Sequence, residues 1–95
     1  MTTEVRMYRL KDGQTDTYLE QFRQKVVPTA SKYGITIHAA WLDRTNNELI
    51  WVRSYDSAEA LAAYEASPER AAYIPEAREC IASSDVRRVD PVLDG

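Results

Sequence analysis

The residues that build many enzyme sites are scarce in this chain, which has one histidine, one cysteine and three glycines among its 95 residues. A single cysteine, Cys80, excludes an internal disulfide, and together with His38 alone it cannot form a zinc site of the usual nitrogen and sulfur ligands. No loop has the ligand spacing of a hard-metal site, and no phosphate-binding loop, G-x-G-x-x-G or G-x-S-x-G sequence occurs. We therefore predict a site that uses neither a metal nor a cofactor.

An excess of one charge and long apolar runs are also missing. Twelve lysines and arginines against fifteen acidic residues give a net charge of −3, and the absence of a basic block argues against nucleic acid as a partner. No apolar run approaches the length of a membrane span, and the opening MTTEVRMYRL is too polar for a signal peptide. We expect a cytoplasmic protein that binds neither nucleic acid nor membranes.

Four segments have the composition and length of β-strands. They are residues 4–11, 35–42, 49–55 and 84–93, and each of the first three is followed by a turn signal or a helix start. A proline near the end of the last segment would confine that strand to an edge or to a strand end.

Two helical regions separate these strands. Helical spacing of apolar residues covers about 15–32, where Pro28 predicts a kink or a second short helical piece. After the third strand we expect Asp56 to cap an alanine-rich helix and Ser67 to cap another helix. Pro75 should interrupt that last helix.

The resulting βαββαβ order predicts an α+β fold of the ferredoxin-like kind, in one domain spanning residues 1–95, with a four-stranded antiparallel sheet and helices on one face. The third strand is apolar on both faces, with Leu49 and Trp51 on one and Ile50 and Val52 on the other. A sheet apolar on both faces needs a second cover, and another copy of the same sheet is the economical one. We therefore predict a homodimer joined sheet to sheet, and a higher oligomer remains an alternative.

The order of several short motifs resembles the NIPSNAP family. EVRMYRLKDG followed by YLEQFRQKVVP is similar to the opening strand and helix of such domains, and ELIWV and YDSAE are similar to the third strand and the start of the second helix. The resemblance spans about residues 4–91 and implies a dimeric α+β barrel, with two facing sheets and the helices outside. Known activities in that superfamily include cofactor-independent oxygenation, isomerisation, cyclisation and haem degradation, commonly in a pocket between sheet and helices.

Three residues are the catalytic candidates: His38, Tyr8 and Arg53. His38 should share a strand face with the small residues Thr36 and Ala40, which leaves room for a general base in a pocket. The alternative for His38 is a place at the subunit interface or a hydrogen bond to a backbone carbonyl. Arg53 would stabilise an anion after proton transfer, or it would stack on an aromatic ring at the dimer interface.

A second set of residues is predicted to bind a flat aromatic or polyketide-like substrate. Arg6 and Tyr55 would form with Tyr8 and Arg53 a polar cluster for a carboxylate, enolate or phenolate. The remaining aromatic residues would line the pocket, although such residues also form ordinary cores. This set is Arg6, Tyr18, Phe22, Trp41, Trp51, Tyr55, Tyr64 and Tyr73. The resemblance, more than composition or periodicity, implies a small enzyme that performs acid–base chemistry on a small-molecule ligand, with oxygenation, isomerisation and cyclisation as the candidate reactions. The alternative is a non-catalytic homodimer that binds a ligand or a partner protein.

Overall fold

Strands and helices alternate in the order βαββαβ in the computed structural model, which describes residues 1–93. The strands are β1 (Thr2–Leu10), β2 (Thr36–Asp43), β3 (Glu48–Tyr55) and β4 (Ile81–Val89). The first helical region comprises α1 (Thr15–Gln21), a π-helical turn (Phe22–Val26) and α2 (Val27–Lys32). The second comprises α3 (Ala58–Glu65) and α4 (Pro68–Glu79).

The four strands form one antiparallel sheet in the order β2-β3-β1-β4, so β1 and β3 are central and adjacent. Residues that face each other across the β1–β3 ladder point to the same side of the sheet. Glu4 is opposite Arg53, and Arg6 is opposite Trp51. These residues lie on the side that the helices cover, and the predicted ferredoxin-like topology is confirmed.

Strand β4 begins earlier and ends earlier than the predicted 84–93. Ile81 pairs with Leu10, and Val89 pairs with Thr3 near the start of β1. The ladder stops there because β1 offers almost no further partner, so Pro91 lies beyond the strand rather than within it. A proline could not have extended this pairing, since it has no N–H to donate.

The first helical region widens into a π-helical turn just before Pro28, and the second short helical piece that was predicted follows as α2. The N–H of Val27 donates to the carbonyl of Phe22, five residues back. A wider turn at this position accommodates a proline that lacks a donor and crowds the preceding turn. The region ends at Gly34, whose φ of +78° lies in the left-handed range that favours glycine.

Both helices of the second region begin at a serine. Ser57, not Asp56, is the N-cap of α3, and its Oγ accepts the N–H of Ala60 at 3.1 Å. The expectation for Asp56 was wrong by one residue because the extended backbone that a cap requires occurs at Ser57. Ser67 caps α4 as predicted, with Pro68 at the first helical position.

Helix α4 passes through Pro75 without interruption, contrary to the sequence prediction, and ends at Glu79. The proline leaves the carbonyl of Ala71 without its usual intrahelical donor. Ala71 is exposed, so water can take that place. Among residues 1–93, no helix is long and apolar enough to cross a membrane.

The two faces of the sheet differ in how they are covered. The helices cover one face and bury an aromatic core that includes Tyr8, Tyr18, Phe22, Leu49, Trp51 and Tyr73. The other face carries no helix. Val5 pairs there with Val52, and Met7 pairs with Ile50, and all four side chains remain partly exposed. We call this side of the sheet the open face.

Candidate functional site

A cleft of about 440 Å³ lies between the covered face of the sheet and helix α4. Its walls come from both central strands, from α3 and α4 and from the beginning of β4. Seven of the eleven predicted site residues line it: Arg6, Tyr8, Tyr18, Trp51, Arg53, Tyr64 and Tyr73. They meet because alternate residues of the adjacent strands β1 and β3 share one face, and the helices place their tyrosines opposite that face.

Three predicted binding residues do not line this cleft. Phe22 packs edge to face against Trp51, with the ring centroids 5.2 Å apart, and together with Trp41 it borders a separate groove of about 230 Å³. Trp41 is 57% exposed. Tyr55 is buried in a second apolar cluster with Tyr64. The prediction that these three residues line one pocket with the others was therefore wrong.

His38 lies outside the cleft, at a bulge in the edge strand β2, and no residue of that strand lines the cleft. Ile37 pairs with Arg53 while Ala39 already pairs with Val52, so His38 has no partner of its own. Its Nε2 and the Oγ of Ser54 are 2.7 Å apart, which places the exposed imidazole on the open face. The predicted neighbourhood with both Thr36 and Ala40 was wrong, since a bulge puts residues of equal parity on opposite faces.

A buried carboxylate that sequence reasoning missed joins the charged residues of the cleft. Glu4 accepts hydrogen bonds from Arg53 Nε and Arg6 Nη1, both at 2.9 Å on the same Oε1, and from the Tyr55 hydroxyl at 3.0 Å on Oε2. Its side chain is 5% exposed. The signal was available, because Glu4 is two residues before Arg6 and so shares its face of β1.

The charge state of Glu4 follows from these contacts. Burial disfavours its ionised form, but the positive charge of Arg53 and the hydrogen bonds from Tyr55, Arg53 and Arg6 outweigh that effect. The pKa of the carboxyl therefore lies below its ordinary value of 4.5. At neutral pH the cluster contains two guanidinium groups and one carboxylate, since arginine stays protonated.

The second partner of Arg6 is Tyr8, which is deeply buried in the wall of the cleft. Arg6 Nε donates to the Tyr8 hydroxyl oxygen at 2.8 Å. The Arg6 guanidinium also lies 5.6 Å from the centroid of the Trp51 ring, and Arg53 approaches the same ring at 5.8 Å. Both arginines are thus held against aromatic surface by cation–π contacts as well as by Glu4.

Two further tyrosines present a pair of hydroxyls to the cleft. The Tyr64 and Tyr73 oxygens are 2.8 Å apart. Burial, reinforced by the bond to Tyr64, raises the pKa of Tyr73, and burial likewise raises the pKa of Tyr18. Tyr18 and Tyr73 are therefore neutral at physiological pH and can act there as hydrogen-bond donors or acceptors, not as phenolate bases.

Helix α4 adds two arginines to the cleft that the sequence reasoning did not select. Arg70 and Arg78 both line it, and the Arg70 guanidinium lies 5.8 Å from the centroid of the Tyr64 ring. Their spacing of eight residues places them on one face of the helix, close to Tyr73 and Ala77. Among residues 1–93, no three His, Cys, Asp or Glu side chains come together as a group that could hold a metal ion.

The NIPSNAP family model matches residues 3–92. The chain belongs to the NIPSNAP family. Its structure is similar to an uncharacterised NIPSNAP domain protein from Burkholderia xenovorans, with 20% identity, a TM-score of 0.81, and coverage of 97% of this chain and 95% of that one. It is also similar to a NIPSNAP family protein of unknown function from Agrobacterium tumefaciens, with 23% identity, a TM-score of 0.84, and coverage of 96% and 87% respectively.

The fold also extends to proteins with other names. A protein from Nitrosomonas europaea that is provisionally named an antibiotic biosynthesis monooxygenase is 10% identical, with a TM-score of 0.78, and the match covers 98% of this chain and all of that one. At such identity the likeness shows the fold alone. No match is found among curated proteins. The family expected from the sequence is confirmed, and its members here carry no assigned reaction.

Proposed function

We propose that the cleft binds a small, flat, largely apolar molecule and that its polar groups perform acid–base chemistry on this molecule without a cofactor. The observation that carries this proposal is the aromatic cleft of about 440 Å³ with the Arg6–Tyr8 pair in its wall. This volume falls within the range of small-molecule sites, which combine apolar walls with a few convergent polar groups. We place this activity in the cytoplasm, where a chain with one cysteine needs no oxidising environment.

Tyr8 is the residue that we assign to proton transfer. Its oxygen already accepts the Arg6 Nε–H, so its own hydroxyl proton is free to be donated to an oxygen of the ligand. The Arg6 and Arg53 guanidinium groups stabilise the negative charge that the ligand oxygen carries before it takes the Tyr8 proton. Arg6, which bonds to the Tyr8 oxygen, also stabilises the phenolate that this transfer leaves. His38 has no part in this assignment, because its imidazole is on the other face of the sheet.

The candidate reactions share one step, the loss of a proton next to a carbonyl group, with solvent water as the acceptor of that proton. Isomerisation and cyclisation of an aromatic or polyketide-like ketone can each begin from the resulting enolate, and oxygenation can begin from it with molecular oxygen as the oxidant. The names of structurally similar monooxygenases support oxygenation as one candidate, although the likeness itself extends only to the fold.

A homodimer joined through the open face is the assembly that we propose for this activity. The partly exposed pairs Val5–Val52 and Met7–Ile50 form an apolar strip that a second copy of the sheet would bury. Pairing in this way would leave the cleft accessible, since the cleft is on the opposite, helix-covered side.

Exchange of ketone protons for deuterium tests the shared step directly. We expect the protein to accelerate the exchange of β-tetralone protons in heavy water, followed by proton NMR, and we expect Tyr8→Phe to lower that acceleration by about 100-fold. Tyr33→Phe is the matched control, because the Tyr33 hydroxyl bonds to Glu69 outside the cleft. Equal exchange with Tyr8→Phe and wild type would remove Tyr8 from the mechanism.

A second candidate is a protein that binds such a ligand without transforming it. It is favoured by the absence of His38 from the cleft and by the raised pKa values of Tyr18 and Tyr73, which leave few groups able to accept a proton near neutral pH. Binding of β-tetralone without any acceleration of exchange would support this candidate over the enzyme.

A further inference from the structure

We propose that the ligand of the cleft is an aromatic carboxylate, bound by positive charge that the chain itself leaves unbalanced. This inference rests on the proposed function, because it assumes that the cleft is a ligand site. It adds the ionisation state of the ligand and assigns Arg70, a residue of helix α4, to its recognition.

The first source of unbalanced charge is the cluster around Glu4. Arg6 and Arg53 both bond to the same oxygen of this one carboxylate, and their side chains are only 19% and 7% exposed. Two guanidinium groups and one carboxylate leave one net positive charge in a largely dehydrated position. Because a buried charge without a counter-ion is costly, an anion in the adjoining cleft would stabilise the cluster.

The second source of charge is helix α4. Within residues 1–93, neither Arg70 nor Arg78 forms an ion pair, and both line the cleft. Glu65 is the one acidic residue among the described lining residues. Four arginines thus stand against Glu4 and Glu65, which gives this site a surplus of two positive charges in a chain whose net charge is −3.

The shape and walls of the cleft define the rest of the ligand. Tyr8 and Trp51 meet edge to face with their centroids 5.9 Å apart, and Tyr18 adds a third ring to this wall. Such a surface favours contact with an aromatic ring. Arginine binds carboxylates through two parallel hydrogen bonds, and the half-buried Arg70 presents such a planar fork beside the Tyr64 ring.

A pair of probes that differ only in charge tests this proposal. Naphthoate and its neutral amide, naphthamide, have the same ring and nearly the same shape, and their affinities can be measured by isothermal titration calorimetry. We expect naphthoate to bind at least about tenfold more tightly than naphthamide, since a hydrogen bond to a charged group contributes roughly that factor. High salt should weaken the binding of naphthoate more than that of naphthamide.

Arginine variants test which side chain binds the carboxylate of the ligand. Arg70→Gln should lower the affinity for naphthoate by about tenfold and change the affinity for naphthamide by less than about twofold. The variant should remain folded, because Arg70 is outside the Glu4 cluster and its loss leaves the buried ion pairs intact. Arg23→Gln is the matched control, since Arg23 is exposed and borders the separate groove near Trp41. Circular dichroism confirms that each variant is folded.

The outcomes separate this inference from the function on which it rests. Equal affinity for the two probes, or an equal loss of both in Arg70→Gln, would overturn the anion assignment and leave the cleft as a ligand site. Failure of the protein to bind either probe would overturn the anion assignment as well, and failure to bind β-tetralone in addition would count against the ligand site itself.

Discussion

Glu4 is the residue on which the charged wall of the cleft depends. It holds Arg53 and Arg6 against the aromatic rings and fixes the Tyr55 hydroxyl at the same time. Removing one partner of a buried ion pair leaves the others uncompensated, which is far more costly than the pair itself is worth. Glu4 therefore contributes both to the stability of the fold and to the charge of the cleft.

We expect Glu4→Gln to lower the free energy of unfolding by about 3 kcal/mol near pH 7. Because the pKa of Glu4 is lower in the folded chain than in the unfolded chain, its stabilisation is complete above the ordinary carboxyl pKa of 4.5 and is lost as the pH falls through the folded pKa. The difference in the free energy of unfolding between wild type and Glu4→Gln should therefore become smaller as the pH is lowered from 7 to about 3.

Urea denaturation at the two pH values measures this effect, with Glu79→Gln as a control because Glu79 is exposed at the end of α4. A difference that stays constant with pH would mean that the hydrogen bonds to the two Glu4 oxygens, and not the charge of Glu4, hold the cluster.

Individual site residues could be predicted from the sequence where a strand alternates regularly. Trp51 and Arg53 were assigned to one face of β3 by parity alone, and the structure places both in the cleft wall. The same rule failed for His38, because a bulge has no reliable signature in a single sequence. Arg70 was missed for another reason, since an arginine on a helix is usually a solvated residue.

At the scale of elements, the caps of α3 and α4 differ in a way that can be measured. Ser67 is buried, and its Oγ accepts the Arg70 N–H at 3.2 Å while its hydroxyl donates to the Tyr64 carbonyl at 2.7 Å. Ser57 is exposed and makes only the capping bond to Ala60. Ser67 thus joins the end of α3 to the start of the helix that carries Tyr73.

We expect Ser67→Ala to cost about 2 kcal/mol of unfolding free energy and Ser57→Ala about 0.5 to 1 kcal/mol, because only the first loses a buried hydrogen bond as well as a cap. Thermal and urea unfolding of the two variants side by side provide the comparison. Equal losses would show that the bond to the Tyr64 carbonyl adds nothing to the cap.

The existence and the order of the strands and helices could be predicted from the sequence. The internal geometry of the helices could not, and the prolines are the reason. Pro28 was expected to cause a kink or to begin a second short helical piece, and Pro75 to interrupt the last helix, since each lacks a donor. The second piece occurs at Pro28 as α2, but the π-helical turn before it was not predicted, and α4 continues through Pro75. A sequence shows that a proline is present, but not how the surrounding helical turns adjust to its missing N–H and its bulky ring.

In the whole molecule, the two faces of the sheet differ in what they carry. Its covered face carries the cleft, and its open face carries an apolar strip with Ile50 near the centre of β3. The sequence indicated this division because both parities of β3 are apolar. It could not tell which face would carry Arg53, since that depends on the side from which the helices pack.

We expect two copies of the chain to pair through their open faces as a homodimer. Sedimentation velocity at micromolar concentration should give twice the 10.8 kDa of one chain. Ile50→Arg should produce a folded monomer, because it would place an unpaired charge within an interface that typically buries about 800 Å² per partner. Ala62→Arg, at an exposed position of helix α3, is the control and should leave the dimer intact. A monomeric wild type would contradict the pairing of the two sheets, while a dimer that persists in Ile50→Arg would move the interface to another surface.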